Sequence, residues 1–157
     1  MIKKGDEVVK LEEINLENKE EILEVKSIEL EAFKEGGSDE WVILPIARCG
    51  KILLLKDEEN ILGSVEILRK WGKNDIYIFS FALKLKYCGK GFGTKLMELL
   101  LEYLKKENIE NIYLTVDPEN KIAVGLYEKF GFKKDRFLKD EYGKGIDRIY
   151  MKLKLEN

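Results

Sequence analysis

The sequence predicts an α/β protein: a mixed, mostly antiparallel central sheet of about seven strands with helices on both faces. Three observations carry that reading. Apolar runs of strand length alternate along the chain with longer segments of helical periodicity. Short turn signals, Asp57-Glu58-Glu59-Asn60 and Trp71-Gly72-Lys73-Asn74-Asp75 among them, separate neighbouring runs. One strand, residues 76–83, leads through Cys88-Gly89-Lys90-Gly91-Phe92-Gly93-Thr94 into an amphipathic helix. At 157 residues, 45% of them hydrophobic, one domain is expected over 1–157. A chain of this length buries roughly 70% of its unfolded surface.

Taken in order, residues 7–12 read as a first strand. Residues 18–33 follow as a helix, with Ile22, Val25, Ile28, Leu30 and Phe33 close to helical spacing. Gly36-Gly37-Ser38 breaks it, and Asp39 is placed to cap a second helix through Trp41 and Ile43. Pro45 disturbs that helix and leaves its extent open. Residues 52–56 and 61–68 form a hairpin around the acidic turn, and 76–83 is the next strand. In the helix after the glycines, Leu96, Met97, Leu100, Leu101 and Leu104 share one face, opposite Lys95, Glu98, Glu102, Lys105 and Lys106. Residues 112–116 read as a strand and 120–130 as a helix carrying Ala123, Leu126, Tyr127 and Phe130 at core spacing, stopped by Gly131. Two last strands, 132–138 and 148–155, flank Tyr142-Gly143-Lys144-Gly145.

Composition removes several functions. There is no histidine, which excludes Ser-His and Cys-His nucleophilic chemistry and the usual zinc ligation. Cys49 and Cys88 form no CxxC pair, so neither a disulfide framework nor a metal site is expected, and a reducing, cytoplasmic setting is the default. The 28 basic residues are interleaved with 30 acidic ones and the net charge is −2, an arrangement without the basic stripe of a nucleic-acid binder. The N-terminus lacks an apolar leader core, and no apolar run approaches the ~20 residues of a membrane span.

The glycine segment has the physical make-up of an anion site. Alternate glycines leave backbone N–H groups unshielded, and the helix start adds its own amides and the positive end of its dipole. Such a cradle holds phosphates without histidine or metal. Two familiar forms do not fit. A dinucleotide fingerprint needs GxGxxG directly after the strand, whereas Gly89, Gly91 and Gly93 alternate and Thr94 stands at the last glycine position; Asp117 meets only the acidic requirement. A Walker A loop needs GxxxxGK[ST], which no register here supplies.

The segment from Leu83 through Leu96 resembles motif A of the GNAT acetyltransferase superfamily, [Q/R]xxGx[G/A], with Gly91 and Gly93 as its small residues. A second signature of that family, an Asn opening a helix that carries Tyr and ends in Gly-Phe, is matched from Asn120 through Tyr127 to Gly131-Phe132. The element order is also that of the family, so the resemblance covers nearly the whole chain. One departure stands at Cys88, where the motif has Gln or Arg, leaving phosphate contact to backbone amides and to Lys86 or Lys90.

The resemblance implies an N-acetyltransferase that moves an acetyl group from acetyl-CoA directly to a primary amine, on a small molecule or a peptide N-terminus. It assigns the cofactor to Leu83, Cys88, Gly89, Lys90, Gly91, Phe92, Gly93 and Thr94, with the thioester oxygen on a backbone N–H around Leu83. It assigns protonation of the departing thiolate to Tyr127, and to Asn120 the start of that helix and a contact with the cofactor arm. For the base, the fourth and fifth strands hold no internal carboxylate; Glu66 on the third is the best remaining candidate, with a solvent-facing strand glutamate as its other reading. Ser80 is placed to join a water chain in the same role. The tail from Leu138 to Met151 resembles the hairpin of bacterial ribosomal-protein alanine N-acetyltransferases, which implies substrate contact by Tyr142, although that subfamily's fifth-strand glutamate falls here on Thr115. Asp140 and Glu141 are either an attraction for a cationic amine or an exposed acidic turn. No nucleic acid or membrane partner is expected, and the chain is expected to be a monomer or homodimer. The rival readings are a non-catalytic acyl-CoA-binding domain that keeps the loop and lacks the base, and a nucleotide-binding module.

Overall fold

Three of the four α-helices begin where the sequence supplies a capping side chain. Asn18 Oδ1 accepts the Glu20 N–H at the start of α1 (Lys19–Phe33). Asp39 Oδ1 does the same for Trp41 at the start of α2 (Glu40–Cys49), and Asn120 Oδ1 for Ala123 at the start of α4 (Lys121–Lys129). Each satisfies a donor that the helix geometry orphans. Pro45 lies inside α2, which continues past it to Cys49.

The computed structural model describes residues 8–156. Its strands are β1 (Lys10–Glu13), β2 (Lys51–Lys56), β3 (Ile61–Arg69), β4 (Asp75–Leu83), β5 (Asn111–Val116), β6 (Lys133–Leu138) and β7 (Arg148–Lys154), with α3 spanning Phe92–Lys106. Glu7, the expected start of the first strand, lies outside the described residues. The seven strands form one sheet in the order β1-β2-β3-β4-β5-β7-β6. The β4–β5 pair is parallel, with Ile76 opposite Ile112 and Ile78 opposite Leu114. The pairs β1–β2, β2–β3, β5–β7 and β6–β7 are antiparallel. The mixed, mostly antiparallel sheet expected from the sequence is therefore present.

The chain forms two compact units, and β3 and β4 contribute residues to both. The first comprises residues up to Ile67 together with Ser80–Glu102. Its core joins Val25 and Ile28 of α1, Ile43 and Ile46 of α2, and Leu96, Met97 and Leu100 of α3 with Ile52–Leu55 of β2 and Leu62, Val65 and Ile67 of β3. Four consecutive buried residues in β2 and six in β3 mean that both faces of these strands are covered, which replaces the usual in–out alternation. Burying that much aliphatic surface contributes roughly 2 kcal/mol per side chain. Gly63 permits the close approach inside this unit: a Cβ there would lie 2.6 Å from the Ala82 carbonyl oxygen.

The second unit is Leu68–Phe79 with the residues from Tyr103 onward. Ile76, Ile78, Leu104, Ile112, Leu114, Val116, Phe132 and Met151 form its core. β5 alternates regularly between half-buried and buried positions. β6 is exposed at all but its last residue, and its Lys133-Lys134-Asp135-Arg136 run puts charge on a sheet edge, with a register shift between Lys134 and Arg136.

Candidate active site

In the first unit, β4 ends at Leu83, and the Lys84 N–H donates to the Leu62 carbonyl at 2.9 Å. A single 3-10 turn, Leu85–Tyr87, then delivers the chain to Cys88. Gly89 and Gly91 take φ of +72° and +88°, where a side chain is strained, and a Cβ on either would point into open space. The amides of this segment are thus bare of side-chain cover. The helix begins earlier than its apolar face indicates. It starts at Phe92, and its first bond runs from Lys95 N to Gly91 O at 3.1 Å. Gly93 and Thr94 accordingly belong to the first turn of α3 and not to the loop, so the third glycine keeps the helix entrance unshielded instead of bending the chain. The Tyr87 and Phe92 rings meet edge to face at 5.9 Å across the segment. Cys88 is exposed, with Sγ 3.5 Å from the Lys84 carbonyl.

The same unit contains the base candidate. Glu66 is fully buried, and so the solvent-facing reading of this residue is overturned. The cause is β3 itself, covered on both faces, which leaves no wet side for a glutamate to take. Glu66 shares its surroundings with Glu29 of α1, itself only 2% exposed. Ser38, between α1 and α2, touches both carboxyl groups. Its N–H donates to Glu29 Oε2 at 3.0 Å and its hydroxyl to Glu66 Oε2 at 3.0 Å. Ser80 of β4 donates its hydroxyl to Glu29 Oε1. Gly37 makes this contact possible, since a Cβ there would fall 2.5 Å from the Glu29 carbonyl oxygen. Burial raises the proton affinity of both acids. Glu66 is pushed up to about 8 by desolvation first and by the Glu29 charge second, with the Ser38 hydroxyl opposing. Glu29 is raised by desolvation, against the hydrogen bonds from Ser80 and Ser38.

In the second unit, Tyr127 is held by the end of α4. The Phe132 N–H reaches the Tyr127 carbonyl at 3.0 Å and the Gly131 N–H reaches Glu128 at 2.9 Å, with Gly131 at φ +93°. This six-to-one and five-to-two pattern is a Schellman motif, and its usual apolar contact is the Tyr127–Phe132 ring pair at 5.7 Å. The Tyr127 side chain is buried, and burial pushes its phenol up to about 12. It therefore carries its proton throughout the physiological range. Asn120 caps the same helix as expected.

Tyr142 is more than half exposed, its hydroxyl 3.5 Å from Thr115 Oγ1 and its ring 5.2 Å from the Arg148 guanidinium. Thr115 also meets the Tyr77 hydroxyl at 2.9 Å, and burial raises the Tyr77 phenol. Asp140 accepts the Gly145 N–H at 2.6 Å, and its own N–H donates to Asp147 at 2.8 Å, which assigns it to shaping the turn.

Glu29, Ser38 and Tyr77 were not singled out from the sequence. For Glu29 a signal existed: it stands at i+4 from Val25 and directly after Ile28, on the buried stripe of α1. Nothing in the local sequence marks Ser38 or Tyr77.

The acetyltransferase (GNAT) family model matches residues 20–132, and the chain belongs to that family. An N-alpha-acetyltransferase of Saccharolobus solfataricus is 32% identical over 105 residues, covering 60% of this chain and 63% of that protein. N-alpha-acetyltransferase 30 of Xenopus laevis is 34% identical over 77 residues, 49% of this chain and 28% of its own. The chain thus spans less than two thirds of the length of these relatives. Among solved structures, the ribosomal-protein-S18-alanine N-acetyltransferase of Escherichia coli aligns with a TM-score of 0.80 at 19% identity, over 96% of each chain. Naa50 of Arabidopsis thaliana, in complex with the bisubstrate analogue CoA-Ac-MVNAL, aligns at 0.76 and 21% identity, over 94% of this chain and 99% of its own. Both share the fold. No helix among the described residues is long and apolar enough to cross a membrane.

Proposed function

We propose that the protein is an acetyl-CoA-dependent N-acetyltransferase whose acceptor is a primary amine, most simply the α-amino group of a peptide or protein N-terminus. The carrying observation is the connection from β4 to α3, where two left-handed glycines with open Cβ space precede a helix start. Bare amides and a helix N-terminus together suit a pyrophosphate. The 32–34% identity to proteins named N-alpha-acetyltransferases supports the choice of acceptor. So does its chemistry, since an α-amino group titrates near ~8 and needs less help to lose a proton than a lysine at ~10.

Acetyl-CoA supplies the thioester and the thiol leaving group when bound. The remaining work falls to the chain. Amides from Gly89 through Thr94 hold the phosphates, with Lys90 beside them and Cys88 where the motif has Gln or Arg. The backbone N–H around Leu83 meets the thioester oxygen, a fixed dipole that needs no reorganisation. Tyr127 donates a proton to the sulfur, and Asn120 sets the helix that carries it. Tyr142 takes the acceptor's backbone, and the carboxyl cluster around Glu66 receives the acceptor's proton. The chain works alone or as a homodimer, in the cytoplasm.

Isothermal titration with acetyl-CoA, with ATP and NAD as controls, tests the cofactor assignment. Selective binding of acetyl-CoA is the expected result, followed by free-thiol release on a panel of peptides with free Ala, Ser or Met N-termini and of diamines. Preference for ATP or NAD would refute it, and acetyl-CoA binding without thiol release on any amine would favour a non-catalytic binding domain.

A further inference from the structure

Resting on that reading, the buried cluster in the first unit goes further, because its hydrogen bonds distinguish its two acids. Glu29 receives donors on both oxygens, the Ser80 hydroxyl on Oε1 and the Ser38 N–H on Oε2. Glu66 receives one, the Ser38 hydroxyl on Oε2. Among the described residues neither Glu66 Oε1 nor the nearby Ser64 Oγ, two residues away on the same face of β3, has a hydrogen-bond partner, and both residues are fully buried. A charged carboxylate oxygen left bare in a dry core is far costlier than a bare neutral one.

Among the described residues no cation is paired with Glu66. Lysines on the surrounding elements are engaged elsewhere: Lys26 of α1 with Glu40, Lys84 after β4 with Glu24, Lys51 of β2 with Glu13, and Lys56 of β2 with Glu12 and Glu21. Two carboxyl groups bridged by one serine cannot both ionise cheaply, so the single proton belongs on Glu66 and the charge on Glu29.

Exposure supplies the second half. Glu66 is 0% exposed and Glu29 2%, whereas the two serines retain 6% each. Of these four residues the serines keep the most exposure, and each hydroxyl is bonded to one of the acids. The Ser38 hydroxyl leads to Glu66, which is already filled. The Ser80 hydroxyl leads to Glu29, which is not, and Ser80 stands three residues before Leu83 on the same strand.

We propose that Glu29, acting through the Ser80 hydroxyl, accepts the proton of the acceptor ammonium, while Glu66 stays protonated beside it and tunes its proton affinity. In that step an N–H bond of the ammonium breaks as its proton passes to Ser80 Oγ. Ser80's own O–H breaks as its proton passes to Glu29 Oε1. The products are a neutral amine, an intact serine and a protonated Glu29. On this reading the base is Glu29 of α1, and Glu66 of β3, the residue expected from the sequence, supports it.

The test is an infrared pH titration of the full chain, reading the carboxylic C=O band, on wild type, Glu29→Gln and Glu66→Gln. It needs neither cofactor nor acceptor. Wild type is expected to show a protonated carboxyl at neutral pH that titrates out near 8. Glu66→Gln should lack it, and Glu29→Gln should keep it while titrating about one pH unit lower, having lost the like charge. Absence of the band in wild type, or its loss in Glu29→Gln and persistence in Glu66→Gln, overturns the assignment.

Thiol release across pH then tests the relay. Glu29→Gln and Ser80→Ala should lose about 10²-fold or more in turnover with acetyl-CoA affinity held, the scale of a removed general base. Glu66→Gln, which mimics the neutral acid, should lose no more than about tenfold and should lose the inflection near pH 8. A severe loss in Glu66→Gln with Glu29→Gln spared returns the role to Glu66. Failure of wild type to bind acetyl-CoA would instead refute the proposed function, and leave the infrared result to decide where the proton sits.

Discussion

Glu66→Gln should make the protein more stable in alkali, by an amount set by the burial of a single carboxyl. An unfolded glutamate titrates at 4.5, and in the folded chain Glu66 is pushed up to about 8. Between those values the folded state holds a proton that the unfolded state has released, so stability falls as pH rises. The slope from this group is at most about 1.4 kcal/mol per pH unit, and across the window it accumulates to about 5 kcal/mol. Relaxation and water entry reduce that to about 2–5 kcal/mol. Glutamine keeps a carbonyl for the Ser38 hydroxyl and has no proton to lose. The two proteins should therefore differ by no more than about 1 kcal/mol at pH 4.5, with the variant ahead by several kcal/mol at pH 9. Urea unfolding of both proteins at a series of pH values measures this. Because every other group is common to the pair, the difference curve isolates Glu66 and the groups it touches. Parallel curves would show that Glu66 is ionised without penalty, and the reasoning from burial would fail.

Other substitutions probe the remaining assignments. Tyr127→Phe keeps the ring against Phe132 and removes the phenol; turnover should drop about 10²-fold with acetyl-CoA affinity intact, and unchanged turnover would take Tyr127 out of the chemistry. Gly91→Ala places a Cβ at φ +88° and should cost about 1–2 kcal/mol of stability by urea unfolding, together with weaker acetyl-CoA binding by calorimetry. Gly125→Ala is its opposite, a helix-interior site in α4 with open space around the new Cβ; it should stabilise by about 0.5–1 kcal/mol, and destabilisation would mean that the space is not open.

Most of the fold was legible because local signals agreed with one another. Asn18, Asp39 and Asn120 each precede an apolar periodic stretch, and each caps a helix at the expected place. Gly131 stops α4 and, through the Phe132 contact, fixes Tyr127. The strands between turn signals fall within a few residues of their expected bounds. The glycine segment was legible for the same reason, as its conformation is a property of the residues in it. The first strand begins later than expected, at Lys10, and α3 begins earlier, since Phe92, Gly93 and Thr94 read as loop by composition but are held in a helical turn by the Lys95–Gly91 bond.

The carboxyl cluster was illegible for the opposite reason: its chemistry is non-local. Whether a strand glutamate meets solvent depends on what covers each face, and Ile61-Leu62-Gly63-Ser64-Val65-Glu66-Ile67 alternates well enough to imply an open one. β3 is buried along six consecutive residues, and Glu29, Ser38 and Ser80 reach Glu66's surroundings from 37, 28 and 14 residues away in sequence. No window of sequence contains them together. A buried acid also advertises itself only against a pattern: Glu29 interrupts the apolar stripe of α1 at a position where charge costs several kcal/mol unless it is hydrogen-bonded. A charged residue on a helix's buried stripe and another inside an apolar strand are each unremarkable alone. Their occurrence in one chain, with serines at the adjoining turn and strand, is the signature that points to a proton-holding pair.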